Sequence, residues 1–308
     1  MNNMKKVIIT GASGFIGSAL SKRLLKSGVK VYGVGRNINK LNELKTFGDF
    51  VPVVANFADY DRLDELIDDR DFDMFWHFAW DGASTFTPNF KNNDTQIGNI
   101  KVAVAAATSA AKLRSSGSSS SSSSYQHYDV IIENNEYSLN PVIYGIAKKS
   151  ALDLFKAISY QNKMACNNVI FPNVYGVGDS LNTAIMFFIN KLLANEPLSL
   201  ISGTYLDDWI YIDDLVDGIL CAAKSTKNYT DYYIGHRNIT TFAEKLTTMK
   251  QILSSQSELN FGTYPENYKV DYTKFDLNAL HNDTGFVAKT EFADSIVKTA
   301  DWLRSIKG

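Results

Sequence analysis

Cysteine is nearly missing from this 308-residue chain, with only Cys166 and Cys221 present and far apart in sequence. Two such residues build neither a disulfide framework nor a cysteine metal site. Histidine is almost as scarce. His77, His127, His236 and His281 show no ligand spacing, so they read as structural or surface residues and no metal is expected. An excess of one charge is also lacking: 31 basic residues nearly balance 33 acidic ones, so no broad basic field advertises nucleic acid or an anionic membrane surface. The expected partner is small. No apolar stretch is long enough to cross a bilayer and no leader precedes the first apolar run, which gives a cytoplasmic location by default. What remains is an ordinary globular composition, 45% hydrophobic and 21% charged, without an internal repeat and long enough for one large or two small domains.

The chain is organised around its start. Lys5 to Thr10 is a short apolar run rich in β-branched residues, followed by Gly11-Ala12-Ser13-Gly14-Phe15-Ile16-Gly17 and a helical pattern. In a strand–turn–helix unit of this kind the first glycine makes a tight turn, the second lets a pyrophosphate approach bare backbone, and the third lets helix and strand pack closely. The positive end of the helix then favours an anion. A glycine turn also occurs without a ligand, but its place after a buried strand at the head of a domain-sized chain favours a dinucleotide.

Alternation continues from there. A helix is expected from Phe15 to Lys26 with Gly28 as its stop, then strands at Val29–Val34 and Val51–Ala55, a short polar helix at Arg62–Asp69, and an apolar run from Met74 to Trp80. Most of that last run reads as core, with Trp80 the exception. Arg36 stands at the tip of the second strand, where an acid accepts the ribose hydroxyl of NAD and an arginine pairs with the 2′-phosphate of NADP. NADP is favoured over NAD, against the competing reading of an exposed loop arginine.

Asp94–Leu113 reads as a long alanine-rich helix, and a fifth strand is due after it. Its place is taken by Arg114-Ser115-Ser116-Gly117 and serine from Ser118 to Ser124, which lack the apolar surface of a central parallel strand and resemble a flexible linker. Local composition and global pattern conflict there, as at a functional peculiarity or in an altered sequence. A helix is expected to open at Tyr144 and run to Asn162, followed by a strand at Asn168–Phe171. Beyond it come helices at Ala184–Ala194, Leu215–Ala223, after Thr241 and at Phe292–Ile306, with a strand at Tyr232–Ile234. The expected fold is α/β, a doubly wound parallel sheet of Rossmann type at residues 1–172. A smaller substrate lobe spans 173–308, with some segments returning to the sheet.

Tyr144 and Lys148 are four residues apart and share one helical face. A free phenol has a pKa of about 10, and a neighbouring ammonium favours its ionised form, which suits it to pass a proton to or from an alcohol oxygen. A nicotinamide then supplies the redox chemistry, and a serine hydroxyl can polarise the same carbonyl.

With the glycine turn upstream, these residues resemble the extended short-chain dehydrogenases/reductases, which act on nucleotide sugars. The resemblance rests on Thr10–Gly17, on Tyr-Gly-x-Ala-Lys at Tyr144–Lys148, on Asn-Val-Tyr-Gly at Asn173–Gly176, on Asp208–Asp214 and on a closing segment ending at Leu303. It implies Tyr144 as acid/base, Lys148 as the residue that holds the nicotinamide ribose and tunes the tyrosine, and Ser121, four residues before Tyr125, as the catalytic hydroxyl. It also implies a cofactor site of Gly11, Ser13, Gly14, Phe15, Ile16, Gly17, Arg36, Asn56, Phe57, Phe78, Ala79, Tyr144, Lys148 and Pro172. Trp80, Asn173, Asp208 and Tyr211 would face the nucleotide sugar. Three departures stand out: Ile170 and Asp207 occupy places where arginines are usual, and Arg36 replaces the acid of NAD-retaining epimerases. An arginine there is similar to the NADPH-dependent 4-ketoreductases of 6-deoxy sugars, the group of CDP-abequose synthase. The expected function is 4-keto reduction of a nucleotide-activated 6-deoxy sugar; an NAD-dependent 4-epimerase is the alternative, and a noncatalytic dinucleotide sensor the alternative of another class. The resemblance also implies a homodimer built on the helices around Asn99 and Lys148.

Overall fold

The computed structural model describes residues 4–84, 87–113, 117–121, 139–225, 227–264 and 271–306, with backbone alone at 117–121 and 139–142. Seven parallel strands form one sheet: β1 (Lys6–Thr10), β2 (Lys30–Gly35), β3 (Phe50–Val54), β4 (Met74–His77), β5 (Gly117–Ser121), β6 (Ala165–Ile170) and β7 (Asp231–Tyr233). Their spatial order is β7-β6-β5-β4-β1-β2-β3, so the chain winds outward from β1 in both directions. Helices cover both faces. Val7 and Ile9 of β1 join a core with Leu20 and Leu24 of α1 (Phe15–Lys26), whereas Ile8 points the other way, toward Val102, Ala106 and Phe155 of α2 (Asn93–Lys112) and α3 (Leu139–Gln161). Period-two alternation with both sides apolar is what a strand buried on two faces requires.

Two sequence expectations are corrected. Within the serine-rich segment Gly117–Ser121 is a strand and not a linker: it forms β5, in register with Phe75–His77 on one side and Ala165–Val169 on the other, while 114–116 and 122–124 lie outside the described residues. A central strand is held first by its backbone ladder, which β4 and β6 complete on both edges whatever the side chains, so position overrides composition. Helix α3 also begins at Leu139, ahead of Tyr144, which places the tyrosine inside the helix rather than at its frayed end.

Beyond β6, small elements gather at the carboxyl edge of the sheet. Asn173–Tyr175 pairs in parallel with Trp209–Tyr211, and Leu206–Asp207 pairs antiparallel with Thr240–Thr241. Helices Ala184–Leu193, Ile212–Ala222, Phe242–Ile252 and Phe292–Ser305 pack into the same core as α1. Thr241 caps one of them, its side chain accepting from the Glu244 N–H while Glu244 reaches back. No helix among the described residues is long and apolar enough to cross a membrane.

Candidate active site

The glycine bend is bare and tightly built. Gly11 has φ +70°, and a Cβ on it would lie 2.9 Å from the Ala79 nitrogen, so the end of β1 presses directly on the end of β4. A Cβ on Gly35, at the end of β2, would meet the Ser13 hydroxyl at 3.0 Å. Three strand ends therefore make one continuous rim. Gly14 is the N-cap of α1, with no side-chain cap and no acid in the first turn, which leaves the N–H groups of Phe15, Ile16 and Gly17 to an anion. A dinucleotide diphosphate fits this cradle on both shape and charge.

Farther along the rim, Arg36 is exposed at the β2 tip and its guanidinium lies over the Phe57 ring, 5.4 Å from the centroid. Asn56 and Asp59 form a reciprocal cap that starts a 3-10 turn at Phe57–Arg62, followed by only a short helix at Leu63–Leu66 in place of the longer one expected at Arg62–Asp69. Arg36, Asn56 and Phe57 thus stand together, one strand away from Ser13. Phe78 and Ala79 lie where β4 ends against the bend, and Pro172 follows β6 on the same carboxyl edge.

Tyr144 and Lys148 meet at the centre of that edge. Tyr144 is 3% exposed and Lys148 5%. The Tyr144 ring sits 4.6 Å from Phe90 and 6.2 Å, edge-on, from Trp80. The Lys148 Nζ lies 4.0 Å from the Trp80 centroid and 6.0 Å from that of Tyr144. Trp80 is itself pinned: its Nε1 donates to Gln96 Oε1 at 3.0 Å, and the buried Gln96 amide donates to the Asn89 carbonyl at 2.9 Å. Gln96 and Phe90 were not legible as site residues, because a single glutamine or phenylalanine carries no spacing signal. Ser121 ends β5 on the same edge, and its side chain lies outside the described residues, as does Tyr125.

Burial pushes the Lys148 ammonium down to about 7. The unfolded chain keeps its proton up to the ordinary lysine range, so the folded state bears the full cost of the charge below pH 7 and is relieved of it as pH rises from 7 toward 10.5. Lys148→Met is accordingly expected to be more stable than the parent at pH 6, by on the order of 5 kcal/mol, with the gap narrowing steadily above pH 7. Urea denaturation at pH 6 and pH 9 measures it. Equal stability at pH 6 would contradict a desolvated ammonium.

In the substrate lobe Asn173 is exposed, and its Nδ2 donates to both carboxylate oxygens of Asp207, at 3.4 and 3.3 Å. Asp207 also accepts from Trp209 Nε1 at 2.7 Å, and burial raises its pKa to about 7 against the pull of that bond and of Lys245. Asp208 is enclosed, accepting from the Tyr233 hydroxyl at 2.7 Å and the Arg237 N–H at 3.0 Å, and burial raises it as well. Tyr211 is buried beside Tyr175, 5.9 Å between centroids. Ile170 packs inward with Tyr233 and Tyr272. Neither Ile170 nor Asp207 offers a diphosphate the guanidinium usual at those places. No metal-binding cluster of histidine, cysteine or carboxylates occurs among the described residues.

Comparison with known proteins agrees with this fold. Residues 7–235 match the family described as NAD dependent epimerase/dehydratase. UDP-glucuronate 4-epimerase 1 of Arabidopsis thaliana is 23% identical over 98% of this chain and 77% of its own length. CDP-abequose synthase of Salmonella typhimurium is 25% identical over 74% of each. Among solved structures, UDP-glucuronic acid 4-epimerase from Bacillus cereus in complex with UDP-glucuronic acid and NAD superposes with a TM-score of 0.76 at 21% identity. That match covers 98% of this chain and 99% of the other, and shows a shared fold.

Proposed function

This chain belongs to the NAD dependent epimerase/dehydratase family, and on that premise we propose that it uses NADPH to reduce the 4-keto group of a nucleotide-activated 6-deoxy sugar. One observation carries the proposal. A buried tyrosine and lysine, one helical turn apart, stand beside the Ala79–Trp80 segment, and Ala79 abuts the bare glycine bend. When bound, the dinucleotide supplies the hydride. Gly11, Ser13 and Gly14 to Gly17 hold its diphosphate, Phe78, Ala79 and Pro172 border it, and Arg36 on its Phe57 platform beside Asn56 takes the adenosine end. The Tyr144 hydroxyl gives its proton to the sugar oxygen as the carbonyl is reduced, and the nearby Lys148 ammonium stabilises the phenolate left behind. Ser121 completes the hydrogen bonding to that oxygen. Asn173, with its amide nitrogen engaged by Asp207, turns its carbonyl oxygen to the substrate as an acceptor, while Trp80 and Tyr211 shape the sugar end and the enclosed Asp208 acts only indirectly, by holding Tyr233 and the Arg237 N–H. Residues 1–172 serve as the dinucleotide domain and 173–308 as the substrate lobe. A homodimer through the outer faces of α2 and α3 is part of the proposal, supported by exposed Ile97, Ile146 and Leu154.

A second reading, an NAD-dependent 4-epimerase, is favoured by relatives and solved structures whose names carry that activity and that cofactor. The two part on whether the nucleotide leaves. Heating the purified protein and identifying what it releases separates them: retained NAD supports the epimerase, and an empty site that takes up NADPH supports the reductase. Arg36→Asp is expected to weaken NADPH at least about tenfold relative to NADH, the worth of one charge-assisted contact. Titration of both dinucleotides by fluorescence reads the ratio, and an unchanged ratio removes Arg36 from the argument.

A further inference from the structure

His77 ends β4 with one ring nitrogen accounted for and one not. Thr10 and His77 are register partners on neighbouring strands, and Thr10 Oγ1 lies 2.8 Å from His77 Nδ1. The same hydroxyl accepts the Ala79 N–H at 3.4 Å and also pairs with Tyr60. A Thr10 proton directed to Nδ1 places the ring hydrogen on Nε2, and that tautomer is part of the inference drawn below. That Nε2 is fully enclosed and has no partner among the described residues. An unsatisfied buried donor costs roughly 1–3 kcal/mol, a reason to look for what it meets.

His77 also borders a small cavity between the end of β4, α2 and α3, with room for about one water molecule, lined by the Phe78–Trp80 segment, Ala103, Lys148 and Ala151. We infer that His77 is a positioning residue for Lys148: one water seated in this cavity accepts from His77 Nε2 and from Lys148 Nζ, and so anchors the ammonium beside Tyr144. The two donors use the two lone pairs of the water, and when Lys148 is neutral the same water turns and donates to it. Burial holds His77 far below its usual range, at about 3, so the imidazole stays neutral and acts as a fixed dipole rather than a competing base. Around Lys148 stand the Trp80 ring from the loop after β4, His77 from β4, Ala103 from α2, and Tyr144 and Ala151 from its own helix. Burial is the one cause that moves its pKa, and no carboxylate among the described residues shares the ammonium.

The sign follows. The water solvates the charged form, so removing its anchor lowers the Lys148 pKa further. The test is a pH titration of the full chain carrying ¹³C at the lysine ε-carbons, with the Lys148 resonance identified by its loss in Lys148→Met. The parent midpoint is expected near 7, well below the ordinary lysine range, because of burial. His77→Phe keeps the ring packed against Phe155, 6.0 Å between centroids, yet removes the donor. It is expected to lower the midpoint by about one unit, the worth of one hydrogen bond to a charge. His77→Gln, which returns an N–H at similar reach, is expected to restore it. Should His77→Phe fail to fold, Thr10→Val frees the imidazole tautomer and is expected to move the midpoint the same way by a smaller amount. A folded His77→Phe with the parent midpoint, or in its place a folded Thr10→Val with that midpoint, overturns the inference. The inference rests on the proposed Tyr144–Lys148 pair, but the readout needs no substrate. A normal titration series in a protein inactive on every nucleotide sugar leaves the water bridge standing and removes the proposed activity instead.

Discussion

Tyr144→Phe is expected to lower turnover by about a thousandfold or more, the range of a positioned general acid, while dinucleotide affinity stays within about twofold. The size follows from the proton that the oxygen supplies to the reacting carbonyl. The tyrosine ring is held by Phe90 at 4.6 Å and by the edge of Trp80, and phenylalanine keeps both contacts, so the fold and the glycine bend are undisturbed. What disappears is the proton donor beside a desolvated ammonium. Lys148 would remain buried under Trp80, 4.0 Å from its centroid, with nothing to ionise. Full activity in the variant, measured as NADPH consumption on the sugar the parent reduces, would mean that another group carries the proton.

The second large effect concerns the bend itself. Gly17→Ala places a methyl group 2.8 Å from the Gly11 carbonyl carbon and 3.0 Å from the Ala12 Cα, and closer still to the Gly11 oxygen. All three neighbours are backbone. They have no room to retreat, because Gly11 is held at φ +70° with its Cα side against Ala79. Relief requires α1 to lift from β1, which separates Leu20 and Leu24 from the core they share with Val7 and Ile9. A loss of about 3 kcal/mol is expected, with a fall of at least about tenfold in dinucleotide affinity as the α1 N–H groups swing off target. Thermal unfolding and fluorescence titration check the two parts, and an alanine variant that matches the parent in both would show that the close approach is not needed.

How much of this was legible beforehand varied with the physics of each segment. Val7 to Ile9, Gly11 and Leu20 to Leu25 announce themselves because burial and backbone conformation act on residue type directly, and the first helix closes at Lys26 with Gly28 just beyond it, as its pattern predicts. Serine could not reveal β5, since what holds that strand is two neighbouring ladders supplied by residues far away in sequence. The start of α3 is set by a signal ahead of the Tyr144 motif: Asn140 and Pro141 suit the first turn of a helix, and α3 begins at Leu139. At the site, the four-residue spacing of Tyr144 and Lys148 was visible, whereas the cation–π contact of Lys148 with Trp80 and the brace from Gln96 depend on a loop crossing a helix, which no local pattern encodes. Asp207 looked like a lost arginine. In the fold it is a buried carboxyl that orients Asn173, a role set by Trp209 and by depth rather than by identity.

Transfer of label tests the proposed chemistry most directly. The protein is incubated with NADPH deuterated at the nicotinamide 4-position and with a panel of nucleotide-linked 4-keto-6-deoxy sugars, and products are read by mass spectrometry. The account predicts one deuterium at C4 for each NADPH oxidised, at a rate about a thousandfold lower with Tyr144→Phe. A protein that binds NADPH yet moves no deuterium to any sugar in the panel would contradict it.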